Sequence, residues 1–151
     1  MSEPQVHHLL SKDDESLIIE AIKSAEHRTS GEIRVHIEDE CETEALDRAQ
    51  AVFAELKMHK TKLRNGVLIY VAIDNRKLAI FGDTAIHDQV GQDFWNDVRD
   101  QMIREFRKGK YAQGIAQGVK MAGEKLRTHF PWQSDDKNEL SDEISYKNES
   151  D

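Results

Sequence analysis

The apolar positions between Lys12 and about Arg28 are Leu17, Ile18, Ala21, Ile22 and Ala25, the spacing of one helix face. Ser11 before them, with Asp14 three residues on, has the pattern of a capping box. The following segment, Glu32-Ile33-Arg34-Val35-His36-Ile37-Glu38, alternates strictly, which predicts a half-covered strand suited to a sheet edge. From Thr43 to about Lys57 the stripe Ala45, Leu46, Ala49, Val52, Phe53 and Leu56 predicts a second helix. Gly66 then opens Val67-Leu68-Ile69-Tyr70-Val71-Ala72-Ile73, apolar on both faces, as a central strand requires. Asp74-Asn75-Arg76-Lys77 supplies a turn, and Leu78-Ala79-Ile80-Phe81 completes an antiparallel hairpin. Past Gly82-Asp83 the period is helical again, with Val90, Phe94, Val98, Met102 and Phe106 on one face and Gly109 placed to end the helix. The last helix, about Tyr111 to Phe130, turns Ile115, Val119, Ala122 and Leu126 inward, while Gly114 and Gly118 leave room for another element to approach closely. The pattern predicts an α/β fold with a small mixed sheet of three or four strands and about four helices divided between its faces.

Length and composition narrow this to one domain. The chain has 151 residues, 33% of them charged, a net charge of −8 and a single cysteine, so neither a disulfide framework nor a CxxC zinc knuckle can be built. No apolar run approaches the roughly 18 residues of a membrane span, and a soluble, cytoplasmic protein is the expectation. The acidic balance, without a basic stripe carrying interleaved aromatics, argues against nucleic acid. Residues 1–10 read as a flexible N-terminus, 11–132 as the folded domain and 133–151 as an acidic tail. That tail holds seven acids against two lysines, a composition that predicts a solvated, disordered segment. The alternative for Glu139-Leu140-Ser141-Asp142-Glu143-Ile144 is a docking segment, for the body or for a protein partner.

Topology decides which loops meet. A right-handed crossover makes the strand 32–38 parallel to 67–73, and the hairpin makes 78–81 antiparallel to both. Thr29, Ser30, Gly31 and Glu32, then Arg64, Asn65 and Gly66, then Gly82 and Asp83, therefore converge at one end of the sheet, with Asp88 and Asp93 a little further along the chain. Such a group suits a hard cation held by oxygen ligands, with a phosphate beside it through Arg64. Each piece also has a plainer role: the glycines as turn residues, Asp83 as a helix cap, Arg64 as an ion-pair partner of Glu32. His36 falls on the polar face of its strand, and His59, His87 and His129 are isolated, so no histidine metal pattern emerges. Cys41 lies among Glu38, Asp39, Glu40 and Glu42, which disfavour its thiolate.

The strings Thr29-Ser30-Gly31-Glu32-Ile33-Arg34-Val35, Arg64-Asn65-Gly66-Val67-Leu68-Ile69 and Ala79-Ile80-Phe81-Gly82-Asp83 recur in a known family. With Phe94-Trp95 and Phe106…Gly109…Gly114-Ile115…Gly118, they resemble the TPM domain family over about Leu17 to Pro131. That family is named for thylakoid acid-phosphatase-like proteins, photosystem II repair proteins and a modulator of acetylcholine receptors. The resemblance implies a three-layer α/β/α sandwich, a phosphatase label and binding of a divalent cation, calcium in particular, with magnesium as the other candidate. Thr29, Glu32, Arg64, Asn65, Gly66, Gly82 and Asp83 occupy its motif positions. The convergence makes Asp83, Glu32 and Asp88 the candidate cation ligands, and Thr29, Arg64, Asn65, Gly66 and Gly82 the surrounding binding residues. The phosphatase label finds no nucleophile motif in the residues: Cys41 is followed at the Cys-x5-Arg spacing by Asp47, and neither DxDxT nor RHG occurs. Hydrolysis would have to be metal-assisted, with Asp83, Arg64 and Glu32 as the catalytic candidates. Two readings follow: a cation-binding interaction or regulatory module whose acidic tail reaches a protein partner, and a weak metal-assisted phosphomonoesterase.

Overall fold

In a computed structural model of the chain, residues 10–132 and 140–147 are described. The elements run α1 (Lys12–Glu26), β1 (Glu32–Glu38), α2 (Ala45–Glu55), β2 (Gly66–Ala72), β3 (Lys77–Gly82), α3 (Thr84–Val90), a 3-10 turn (Gln92–Trp95), α4 (Asn96–Arg107), α5 (Tyr111–His129) and β4 (Ser145–Tyr146). The strands form one mixed sheet in the order β3-β2-β1-β4. β1 and β2 are parallel, with Glu32 opposite Gly66, and β2 and β3 are antiparallel, with Val67 opposite Gly82. The α/β class and the mixed sheet are those the hydrophobic pattern predicts. Among the described residues no helix is long and apolar enough to cross a membrane.

Local chemistry explains most element ends. Ser11 accepts from the Asp14 amide, and Asp14 in turn accepts from the Ser11 amide, so both halves of the capping box form. Asp83 caps α3 through the Thr84 amide at 2.7 Å. The helical stripe from Val90 to Phe106 does not make one helix. Gly91 takes φ +75, a conformation that side chains with a Cβ rarely adopt, and the chain turns there through the 3-10 segment before α4 starts. Trp95, in that segment, is buried in the core. This break accounts for five helices rather than four.

The two faces of the sheet are covered unequally. Ile33, Val35 and Ile37 of β1, with Val67, Ile69 and Val71 of β2, pack beneath α1, α4 and α5. On the other face Leu68, Tyr70 and Ala72 meet Ala49, Val52 and Phe53 of α2. α4 approaches α5 closely because glycine permits it: a Cβ on Gly118 would stand 2.5 Å from the Met102 sulfur. α2 lies over β2 and β3, leaving the polar face of β1 to be covered by something else.

Residues 140–147 do that, and here the expectation of a solvated tail is corrected. β4 adds to the outer edge of β1, His36 opposite Ser145 and Ile37 opposite Tyr146. Leu140 packs with the α2-side cluster, whereas Ile144 is buried with the α1 and α5 core. The segment thus wraps around the sheet edge. Two apolar anchors four residues apart outweigh the solubility of the acids between them. Residues 1–9, 133–139 and 148–151, the remainder of the predicted N-terminus and tail, lie outside the described residues.

Candidate functional site

The sheet end assembles as its topology requires. Gly66 O accepts from the Asp83 amide at 2.9 Å, and Asn65 O accepts from the Glu32 amide at 3.2 Å, so the three loops are hydrogen-bonded to one another. Arg64, in a left-handed conformation at φ +52, reaches Asp83 rather than Glu32. Its Nε and Nη2 donate to Asp83 Oδ2 and Oδ1 at 2.8 and 2.9 Å, the two-pronged geometry that planar guanidinium and carboxylate favour. The carboxylate is 3% exposed and the guanidinium side chain 46%, so one end of the pair is enclosed and the other is wet. Bonding to Asp83 raises the Arg64 pKa further.

Thr29 proves to be a fastening. Its hydroxyl donates to Phe130 O and accepts from the Gly31 amide at 3.0 Å. With the Thr29–Pro131 bridge and the Ser30 N to Phe130 O bond, it ties the exit of α5 to the entry of β1. Asn65 is 1% exposed. Its Nδ2 donates to Ser30 O at 3.1 Å, while its Oδ1 is buried with no hydrogen-bond partner among the described residues. Glu32, 6% exposed, accepts from the Leu140 amide through Oε1 at 2.6 Å. Asp83 and Asp88 both line a cleft of about 210 Å³ between α2, β3 and α3, with Leu46, Phe81, His87 and Gln92 among its walls. Asp88 is exposed there, and Glu32 is not part of that lining. Among the described residues no three His, Cys, Asp or Glu side chains are grouped so as to hold a metal ion.

Beside Glu32 is a second acidic contact. Glu26, at the end of α1, is pushed up to about 8 by burial, then by its hydrogen bond to Asp142 and by the charges of Asp142 and Glu32, against the opposing Lys23. A carboxyl so placed holds its proton to a higher pH than an exposed one. The pKa of Arg34, whose Nε is buried without a hydrogen-bond partner among the described residues, is lowered by burial against the opposing charge of Glu143.

At the opposite end of β1 stands a network that the sequence reading did not single out. Glu38 is 1% exposed. Arg48 Nε and Nη2 donate to its two oxygens at 2.9 and 3.0 Å. Its Oε1 lies 3.1 Å from His36 Nε2, and the Tyr70 hydroxyl donates to its Oε2. Burial alone would raise the Glu38 pKa, but the hydrogen bonds of His36, Arg48 and Tyr70 and the Arg48 charge outweigh it and hold the group at about 2. Burial and the bond to Glu38 push the Tyr70 phenol upward in turn. The available signal was Tyr70, a hydroxyl-bearing side chain in a run otherwise apolar on both faces, which the register sets opposite His36.

Comparison with known proteins places this geometry. Residues 5–125 match the TPM domain. The BA42 protein of the psychrophilic bacterium Bizionia argentinensis, solved by NMR, is 46% identical and superposes with a TM-score of 0.85 over 91% of this chain and 95% of its own. The N-terminal domain of a protein from P. gingivalis, 21% identical, shares the fold at a TM-score of 0.67 over 81% of this chain and 79% of its own. No relative among the curated proteins matches the chain.

Proposed function

The chain belongs to the TPM domain family, and on that premise we propose that it is a cytoplasmic interaction or regulatory module. Its sheet end, formed by residues 29–32, 64–66 and 82–83, takes a divalent cation, calcium or magnesium. Asn65 carries this reading. An enclosed amide oxygen that accepts no hydrogen bond from the described residues forgoes about 1–3 kcal/mol, and a hard cation is the ligand that such an oxygen suits. Asn65 would bind through Oδ1, with Glu32 and Asp83 offering carboxylate oxygens from β1 and β3. Asp88 would act only from the cleft it shares with Asp83. The Arg64 guanidinium, now on both Asp83 oxygens, is the internal competitor, and its half-exposed position leaves it free to turn toward water or toward a phosphate-containing ligand. Two carboxylates and one amide leave much of the coordination shell to water.

A metal-assisted phosphomonoesterase finds less support. The residue that would neutralise phosphate is engaged by Asp83, and Asp83, the candidate for holding the ion or activating water, spends an oxygen on the Thr84 amide. The test is a titration of the labelled protein with calcium and then magnesium, followed by backbone amide shifts. Saturable shifts at Gly31, Asn65, Gly82 and Asp83, with affinity at least about tenfold weaker in Asp83→Asn, are the expected result; tenfold corresponds to about 1.4 kcal/mol. No saturable shift at these residues would overturn the cation reading. An ester-hydrolysis assay on the same two proteins separates binding from catalysis.

A further inference from the structure

The outer edge of β1 is occupied by the chain's own C-terminal segment, and the way it is held suggests that the occupant is exchangeable. The ladder has two rungs, at His36 and Ile37, although β1 is seven residues long. Polar ties beside the ladder include the Lys147 amide to Ile37 O at 3.4 Å, the Leu140 amide to Glu32 at 2.6 Å, the Ser145 hydroxyl to His36 Nδ1 at 3.0 Å, and the Tyr146 hydroxyl to Glu15 of α1 at 2.6 Å. Leu140 lies against Gly66, its Cδ1 3.4 Å from where a Cβ would stand, and Ile144 supplies the deeper anchor. Between the anchors, charge is mixed. Glu143 has the Arg34 guanidinium as counter-charge, whereas Asp142 faces Glu26 with Glu32 close by, and Lys23 partly offsets the charge at Glu26. The groups facing the segment are therefore Glu15, Lys23 and Glu26 of α1 and Glu32, Arg34 and His36 of β1.

We propose that this edge of β1 is a strand-acceptor site for an extended acidic segment of a partner protein, and that residues 140–147 are its resident, exchangeable occupant. The partner segment has the pattern the site already accepts. An apolar residue sits against Gly66, two acids follow, the first meeting Glu26 and the second Arg34, a second apolar residue lies four positions after the first, and a hydroxyl residue and an aromatic one then pair in parallel with His36 and Ile37. Main-chain bonds to an exposed strand edge give affinity in such docking, and the alternate side chains give selectivity. The partner competes with a tethered rival whose effective concentration is in the millimolar range, so exchange responds to modest changes in either strand. This proposal rests on the reading of the domain as an interaction module and not on the cation.

The test uses the full chain, isotope-labelled, in the presence of a chelator. An unlabelled peptide of residues 139–147 is added, alongside the same peptide with aspartate at the position of Ile144. Exchange predicts that the wild-type peptide moves the amides of Ser141 to Lys147 to unstructured positions while those of Arg34 to Ile37 stay dispersed. In the full-length Ile144→Asp variant, whose own segment is weakened, the wild-type peptide should bind at least about tenfold more tightly than to the parent. Should that variant fail to fold, Tyr146→Phe, which removes only the hydroxyl bonded to Glu15, gives the same comparison with a smaller step. No displacement in either protein, or equal action of the two peptides, overturns the proposal. So does a concentration-dependent dimer that excludes the peptide, since the occupant is then the segment of a second copy. Because the chelator removes any ion, a negative result leaves the cation titration standing.

Discussion

Glu38 bears a full charge where water hardly reaches it, and its stability depends on keeping Arg48, His36 and Tyr70 in place. Breaking a buried ion pair from one side costs about 3–5 kcal/mol. Arg48 retains some water, at 24% side-chain exposure, so Glu38→Gln is expected to cost about 3 kcal/mol, measurable by urea denaturation at neutral pH. The Glu38 pKa is depressed, from 4.5 to about 2. Its contribution is therefore present in full above about pH 4.5 and is lost as pH falls through about 2. Wild-type stability should decline across that window, and the Gln variant should decline less. The alternation of β1 showed that Glu38 and His36 share a face; it could not show what covers that face, because the covering residues lie in α2 and at the far end of the chain. The same limit applied to Arg64. Its nearness to Asp83 and Glu32 followed from strand directions, but the choice between the two carboxylates depended on a left-handed backbone at Arg64 that no spacing rule reveals.

At the scale of elements, close contact between α4 and α5 is a property of two side chains. Gly118→Val would drive a branched side chain into Met102 and is expected to cost about 1–3 kcal/mol by overpacking. Met102→Ala in the same molecule should recover part of that loss, because the methionine is what the valine meets. A thermal-unfolding double-mutant cycle reads the coupling, and strictly additive losses would show that the two helices do not meet there. The glycine spacing in α5 announced this approach before any partner helix was known. The break before α4 was less legible: Val90, Phe94 and Val98 keep helical phase across Gly91, and a hydrophobic stripe does not record that the chain between two of its members has turned. The short β4 left even less trace, since two residues give no alternation to detect.

Over the whole molecule, the C-terminal segment joins parts that are remote in sequence: the end of α1, the polar face of β1 and the α2-side cluster. That attachment responds to pH with a definite sign. The Glu26 pKa is raised to about 8 by burial first, then by Asp142 and by Glu32; release removes the Asp142 share of that shift, so the docked form holds its proton to a higher pH than the released form. Docking is therefore favoured at low pH and weakens as pH rises toward about 8, where the docked form also loses the proton. Amide exchange at residues 141–147 should accelerate between pH 6 and 8.5 beyond its intrinsic pH dependence, and Glu26→Gln should flatten the excess. An excess that persisted in Glu26→Gln would assign the effect to another group. Composition alone favoured a solvated tail because counting charges cannot see that Leu140 and Ile144 find separate hydrophobic clusters on the two sides of one strand edge.

The order in which the chain is made adds a further consequence. His36 emerges 109 residues before the Ser145 that will lie beside it. Throughout the synthesis of α2, the hairpin and the last three helices, β1 has no outer neighbour, and its unpaired backbone is open to any extended chain that arrives first. Neighbouring copies on one messenger, growing side by side, are the nearest source of such chains, so a segment made long after β1 is what closes the molecule against its own siblings.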